Sequence, residues 1–152
     1  MRKLIVPVLA ALLVSCTQNA SREEMHYPIV DSLMRVMTLE EKVGQTVLFT
    51  SDWSVTGPSM REGYLNDIKA GLCGNLLNAY TADFTREIQR VAVEETRLGI
   101  PILFGYDVIH GFRTIFPINL GISASWDPSL IEESARVAAR EAAAAGLHWT
   151  YS

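Results

Sequence analysis

The chain has 152 residues, with 13 Lys plus Arg against 17 Asp plus Glu and a formal net charge of −4. That length suits one ordinary domain, and 49% hydrophobic residues supply a core, which excludes a disordered chain. The acidic balance carries no electrostatic footprint for nucleic acid, and two cysteines make neither a disulfide framework nor a four-ligand zinc site.

The chain opens on Arg2 and Lys3, then an apolar run from Leu4 to Val14 that is too short to span a bilayer as a mature helix. A basic start followed by a short apolar run reads as a secretory signal over residues 1–15. The run ends in Leu13-Val14-Ser15-Cys16, which resembles the bacterial lipoprotein signal. The expectation is that Cys16 becomes the first residue, carries lipid and anchors the protein to a membrane outside the cytoplasm; an ordinary signal peptide cut nearby is the other reading. Several acyl chains on one cysteine anchor stably where a single chain does not. Residues 16–28, polar from Thr17 to His26, read as a tether. Residues 29–152 read as the folded part, in which Cys73 is expected to be buried and inert.

From Ile29 to Met37 the apolar residues recur at helical spacing. Thr38-Leu39-Glu40-Glu41 is a capping box that predicts a second helix. Val47 to Thr50 reads as a strand and Ser51 to Ser59 as a loop punctuated by Gly57-Pro58. Met60 to Ala70 is expected to be a helix stopped by Gly71, and Gly74 to Asn78 a short strand. Thr81 is placed as the cap of a longer helix with Phe84, Ile88, Val91 and Ala92 on one face, ending near Gly99. Ile100 to Tyr106 reads as a buried strand, Asp107 to Asp127 as a long irregular connection, and Asp127-Pro128 as the start of an alanine-rich helix ending at Gly146. Leu147 to Tyr151 is another strand candidate. Strands alternating with helices imply an α/β fold with a parallel sheet. An eight-fold barrel takes roughly 31 residues per strand-helix unit, so the folded part is expected to hold about four units. The fold class expected is the incomplete N-terminal portion of a (β/α)8 TIM-barrel-like domain, with a small complete α/β domain as the other reading.

Asp107 stands just past the end of the buried strand, on the edge where parallel folds bind ligands. A carboxylate there accepts two hydroxyl hydrogen bonds at once, and these charge-assisted bonds discriminate between sugars. Capping a turn is the competing role, and spacing alone leans toward it. Met37 to Gln45 resembles the opening helix of glycoside hydrolase family 3. Gly105-Tyr106-Asp107-Val108-Ile109-His110-Gly111 is similar to that family's Gly-x-Asp-x-x-His-Gly segment. Thr114-Ile115-Phe116-Pro117, Asn119-Leu120-Gly121 and Ser125-Trp126-Asp127 follow in the family's order.

The resemblance implies a retaining, β-glucosidase-like exo-hydrolase that releases terminal glucose from β-glucosides or oligosaccharides. An aspartate nucleophile and a glutamate acid/base would stand about 5–5.5 Å apart. Asp107 matches the aspartate that holds hydroxyls of the terminal sugar, and His110 is expected to orient the loop behind it. The family's nucleophile, acid/base and further sugar-holding motifs are expected downstream of Ser152. No catalytic carboxylate is therefore assigned here, and the chain alone is expected to be inactive. Ser51-Asp52-Trp53 resembles the nucleophile motif but follows the first strand, so Asp52 is read as capping a turn. No cofactor and no metal site are expected: His110 has no third ligand near, with His26 and His148 remote. Glu40-Glu41, Glu94-Glu95 and Glu132-Glu133 are read as solvated faces, Trp53, Trp126 and Trp149 as core or sugar platforms, and Arg113 as a possible subsite contact. A β-xylosidase of the same family and a non-catalytic carbohydrate-binding lipoprotein are the alternatives.

Overall fold

The structure is a computed structural model that describes residues 27–151. The expected signal, Cys16, His26 and nearly all of the tether lie outside the described residues. The chain divides into residues 1–32 and residues 33–152, and the site belongs to the second unit.

Helix α1 (Pro28–Val36) forms as the spacing predicts and starts one residue inside the expected tether, but none of its residues is buried; Met37, just beyond it, is. Helix α2 (Leu39–Gly44) starts on the predicted box: Thr38 Oγ1 accepts from the Glu41 amide at 3.2 Å, and Glu41 Oε2 accepts from the Thr38 amide at 2.8 Å.

Strand β1 (Leu48–Thr50) follows. The segment read as a loop is instead an antiparallel hairpin of β2 (Asp52–Ser54) and β3 (Gly57–Ser59), with Asp52 opposite Ser59. Gly57 at φ +130° supplies the conformation that closes it, so what looked like loop punctuation is a hairpin turn. Helix α3 (Tyr64–Lys69) is shorter than expected, because Gly63 at φ +87° delays its start.

Strand β4 (Asn75–Leu77) excludes Asn78, which turns out of the sheet at φ +65°. Helix α4 (Ala82–Glu94) buries Ile88, Val91 and Ala92 as predicted. The Thr81 hydroxyl makes no capping bond, contrary to expectation; its carbonyl instead accepts from Thr85. Strand β5 (Leu103–Tyr106) leads into a connection that contains the short helix α5 (Asn119–Ser123). Helix α6 (Pro128–Ala144) is capped by Asp127, whose carboxylate accepts from the amides of Ser129 and Leu130 at 2.9 and 3.2 Å. The last strand is β6 (Trp149–Thr150).

The four long-range strands pair in parallel in the order β1-β4-β5-β6. Strand order thus follows chain order, as in a barrel, and does not reverse as in a doubly wound sheet. Phe49, Leu76 and Phe104 are register partners in one row, and Leu76 and Phe104 are fully buried. That row packs with Ile68 of α3, Ile88, Val91 and Ala92 of α4, and Ala138 and Ala142 of α6. All these helices therefore cover one face of the sheet, and burying this row drives the fold. The alternate residues Leu48, Leu103 and Trp149 lie exposed on the other face, the one a closed barrel turns inward.

Candidate substrate-binding site

Asp107 is the first residue after β5, at the C-terminal edge of the parallel sheet, and its side chain is exposed. The register Gly105↔Trp149 and Tyr106↔Thr150 continues to Tyr151, whose amide donates to the Tyr106 carbonyl at 3.2 Å. Asp107 and Tyr151 are thus neighbours at the ends of adjacent strands. By strand alternation Asp107 shares its face with Leu103 and Gly105, not with the packed row of Phe104. Asp107 contributes, after burial itself, to raising the pKa of the Tyr151 hydroxyl. It also raises that of Tyr106, behind burial and Tyr80. Tyr80 and Tyr106 meet at 5.5 Å between ring centroids, and Phe112 stands edge-on to Tyr106 at 5.6 Å. The exposed carboxylate therefore stands beside Tyr151 on the face a closed barrel turns inward, while Tyr80, Tyr106 and Phe112 pack behind it against the core side of the sheet.

The Asp107–Gly111 connection is fixed by its own bonds. Val108 is buried. The Phe116 amide donates to the His110 carbonyl at 2.8 Å, His110 Nδ1 lies 3.2 Å from the Phe116 carbonyl, and Gly111 bridges to Ile115. His110 thus faces its own loop. Gly111 sits at φ +118° where a β-carbon would strike the Thr114 carbonyl, so this closed turn requires glycine. His110, Phe116, Pro117, Ile122 and Ile131 line an apolar groove between the loop and α6, and Asp107 is not on its wall.

The other singled-out residues lie elsewhere. Asp52 does not cap a turn: it starts β2 and accepts a forked pair of bonds from Arg61, with Nη2 at 2.6 Å. That hydrogen bonding holds its carboxyl below the usual carboxylate range. Glu41 is no solvated face either. It is buried, closes the capping box and is ion-paired with Arg97. Glu95 pairs with Lys69 and Arg90, each at 2.9 Å, and Arg136 pairs with Glu132 and Glu133. Cys73 is buried, donates to the Asn75 carbonyl at 3.2 Å, and has its thiol pKa pushed up by that burial. Trp126 is exposed and Trp149 partly so. His148 Nδ1 accepts from the Phe104 amide at 3.2 Å. Among the described residues, no group of three His, Cys, Asp or Glu side chains converges to hold a metal ion, and no helix is long and apolar enough to cross a membrane.

Two contacts escaped the sequence. Glu141 of α6 accepts from the amides of Arg113 and Thr114 and from the Thr114 hydroxyl, so Arg113 is tied to it by a backbone hydrogen bond, and its side-chain charge acts on the same carboxylate. Asn78, in left-handed conformation, ties the end of β4 to Thr50 of β1 through its amide and to Ser51 through its carbonyl.

The sequence model of the glycosyl hydrolase family 3 N-terminal domain matches residues 38–152. A periplasmic β-glucosidase of Salmonella typhimurium is 38% identical over 123 residues, covering 81% of this chain and 16% of that protein. Beta-glucosidase C of Emericella nidulans is 35% identical over 147 residues, covering 78% of this chain and 22% of that protein. Among solved structures, a β-glucosidase from Listeria innocua in complex with isofagomine superposes with a TM-score of 0.70 at 38% identity, over 84% of this chain and 18% of that one. The chain thus spans about a fifth of the length of the proteins it matches. The motifs, the singly wound parallel sheet and these likenesses agree, and the chain belongs to glycosyl hydrolase family 3, whose N-terminal domain it matches.

Proposed function

We propose that this segment is the opening part of the barrel of an exported, retaining β-glucosidase-like exo-hydrolase, with Asp107 holding hydroxyls of the terminal glucose. The observation that carries the reading is the exposed Asp107 carboxylate at the C-terminal edge of the parallel sheet, beside Tyr151 on the face that a closed barrel turns inward. A carboxylate that takes two hydroxyls at once rejects a sugar whose hydroxyl points elsewhere, because the acceptor is then left unpaired. His110 keeps the loop behind Asp107 in shape. In this reading the nucleophile and the acid/base belong to later strands of the longer enzyme, so the segment alone is inactive. Export fits the short apolar start of the sequence and the periplasmic location in the name of the Salmonella relative. Cys16 is the lipid attachment site of this reading, residues 1–15 its signal and residues 16–28 its tether.

The test is nitrophenol release from aryl β-glucoside and aryl β-xyloside by the enzyme that carries this segment, beside the segment alone. The reading expects glucoside turnover by the former and a buffer-level rate from the latter. Preference for xyloside would favour the xylosidase alternative, and sugar binding without turnover by the longer protein would favour a binding lipoprotein. Labelled fatty acid incorporated into the wild type but not into Cys16→Ser tests the anchor.

A further inference from the structure

We infer that Glu141 is the positioning residue of the site: it clamps the loop that begins at Asp107 and so fixes the aim of the sugar-holding carboxylate. The inference rests on the hydrolase reading above and adds to it a residue from another element. Glu141 lies on α6, near its C-terminal end. Its Oε2 accepts from the backbone amides of Arg113 and Thr114, each at 2.8 Å, and its Oε1 accepts from the Thr114 hydroxyl at 2.6 Å. Three donors from two consecutive residues converge on one carboxylate, and the Thr114 hydroxyl and amide, then the Arg113 amide, hold its pKa below the ordinary glutamate value.

The geometry on either side makes this clamp consequential. Residues 110–116 are closed on themselves by the His110–Phe116 bonds and the Gly111–Ile115 bridge, so they move as a unit. One side of the unit is Phe112, edge-on to Tyr106, the residue before Asp107. The other side is held by Glu141 to α6, whose Ala138 and Ala142 are buried in the core. The loop therefore spans between the strand end that carries Asp107 and a helix seated on the opposite face of the sheet. Without the carboxylate, two adjacent backbone N–H groups lose their acceptor, and the unit keeps only apolar packing on its α6 side. A carboxylate that must meet two hydroxyls is sensitive to aim, since a misplacement of about 1 Å can cost on the order of 100-fold.

The experiment uses the enzyme that carries this segment and an aryl β-glucoside, with kcat and KM measured for Glu141→Ala, Glu141→Gln, Asp107→Ala and the Glu141→Ala/Asp107→Ala pair. Glu141→Ala is expected to raise KM by roughly tenfold. Glu141→Gln keeps an oxygen for the two amides and is expected to recover most of that loss. In the Asp107→Ala background, Glu141→Ala is expected to add less than about threefold, since there is then no carboxylate to aim. An unchanged Glu141→Ala, or one whose loss is fully additive with Asp107→Ala, overturns the positioning role. An Asp107→Ala enzyme with normal kcat/KM overturns the underlying subsite reading instead. If Glu141→Ala does not fold, Thr114→Val, which removes only the hydroxyl donor, is expected to show a smaller KM rise with the same dependence on Asp107, and an additive loss there overturns the proposal equally.

Discussion

The Tyr151 hydroxyl lies 2.6 Å from the point where a β-carbon on Gly105 would stand. The two residues belong to neighbouring chain segments, Gly105 inside β5 and Tyr151 just after β6. Glycine is what lets the tyrosine ring fold back over the sheet beside Asp107. Among the described residues the hydroxyl is shielded and has no hydrogen-bond partner, and burial, then Asp107, raises its pKa. Gly105→Ala would drive the ring off this seat. Because the obstructing atoms belong to a movable side chain and not to backbone, the expected cost is that of modest overpacking, about 1–3 kcal/mol by thermal unfolding. A variant as stable as the wild type would mean that Tyr151 does not rest on Gly105.

Asp107 is the residue on which the sugar reading turns. Asp107→Ala removes a charged double acceptor, and kcat/KM of the longer enzyme on an aryl β-glucoside is expected to fall by an amount equivalent to about 2–4 kcal/mol. The side chain is exposed and outside the packed row, so the melting temperature should scarcely move. Equal kcat/KM would remove Asp107 from the subsite; a large stability loss would return it to the turn-capping role.

The sequence made the frame legible because the frame depends on local signals. The Thr38–Glu41 box, the Asp127-Pro128 cap and the β-branched and apolar strand runs each act within a few residues; the two caps stand where the pattern put them, and each strand forms inside its run but shorter than expected. The hairpin β2–β3 was hidden because its strands are three residues long and the pair alternates nothing that reads as a buried face. Glu41 and Glu141 were hidden for a different reason. Their partners, Arg97 and the Arg113–Thr114 amides, lie 56 and about 27 residues away in sequence, and no periodicity announces a partner at that range. Asp107 was found through the motif around it; its neighbour Tyr151 became visible only when parallel pairing brought the ends of β5 and β6 together.

Glu41 gives the fold an acid-sensitive point. Its carboxylate is buried, and hydrogen bonds from Arg97 and then from the Thr38 amide lower its pKa below the ordinary 4.5. A depressed carboxylate stabilises the folded state above its unfolded pKa, and that contribution is lost as pH falls through the folded value. Stability measured by denaturant titration should therefore decline from about pH 4.5 downward, and Glu41→Gln should flatten part of that decline while lowering stability at neutral pH. An unaltered pH slope in Glu41→Gln would mean that other carboxylates carry the acid response.

Asp127 controls the start of the helix that carries Glu141. Its side chain accepts from the Ser129 and Leu130 amides, and Pro128 occupies the first turn, where a missing N–H costs nothing. Asp127→Ala leaves two donors at the helix start without this acceptor and should cost about 1 kcal/mol. Asp127→Asn keeps the accepting oxygen and should stay close to wild type, apart from the small loss of a negative charge at the positive end of the helix dipole. Fraying at residue 128 is about three and a half turns from Glu141, so the Asp127→Ala enzyme should melt a few degrees lower while keeping its KM. A KM rise matching that of Glu141→Ala would mean that α6 moves as one rod, and that the loop is aimed by the seating of the whole helix.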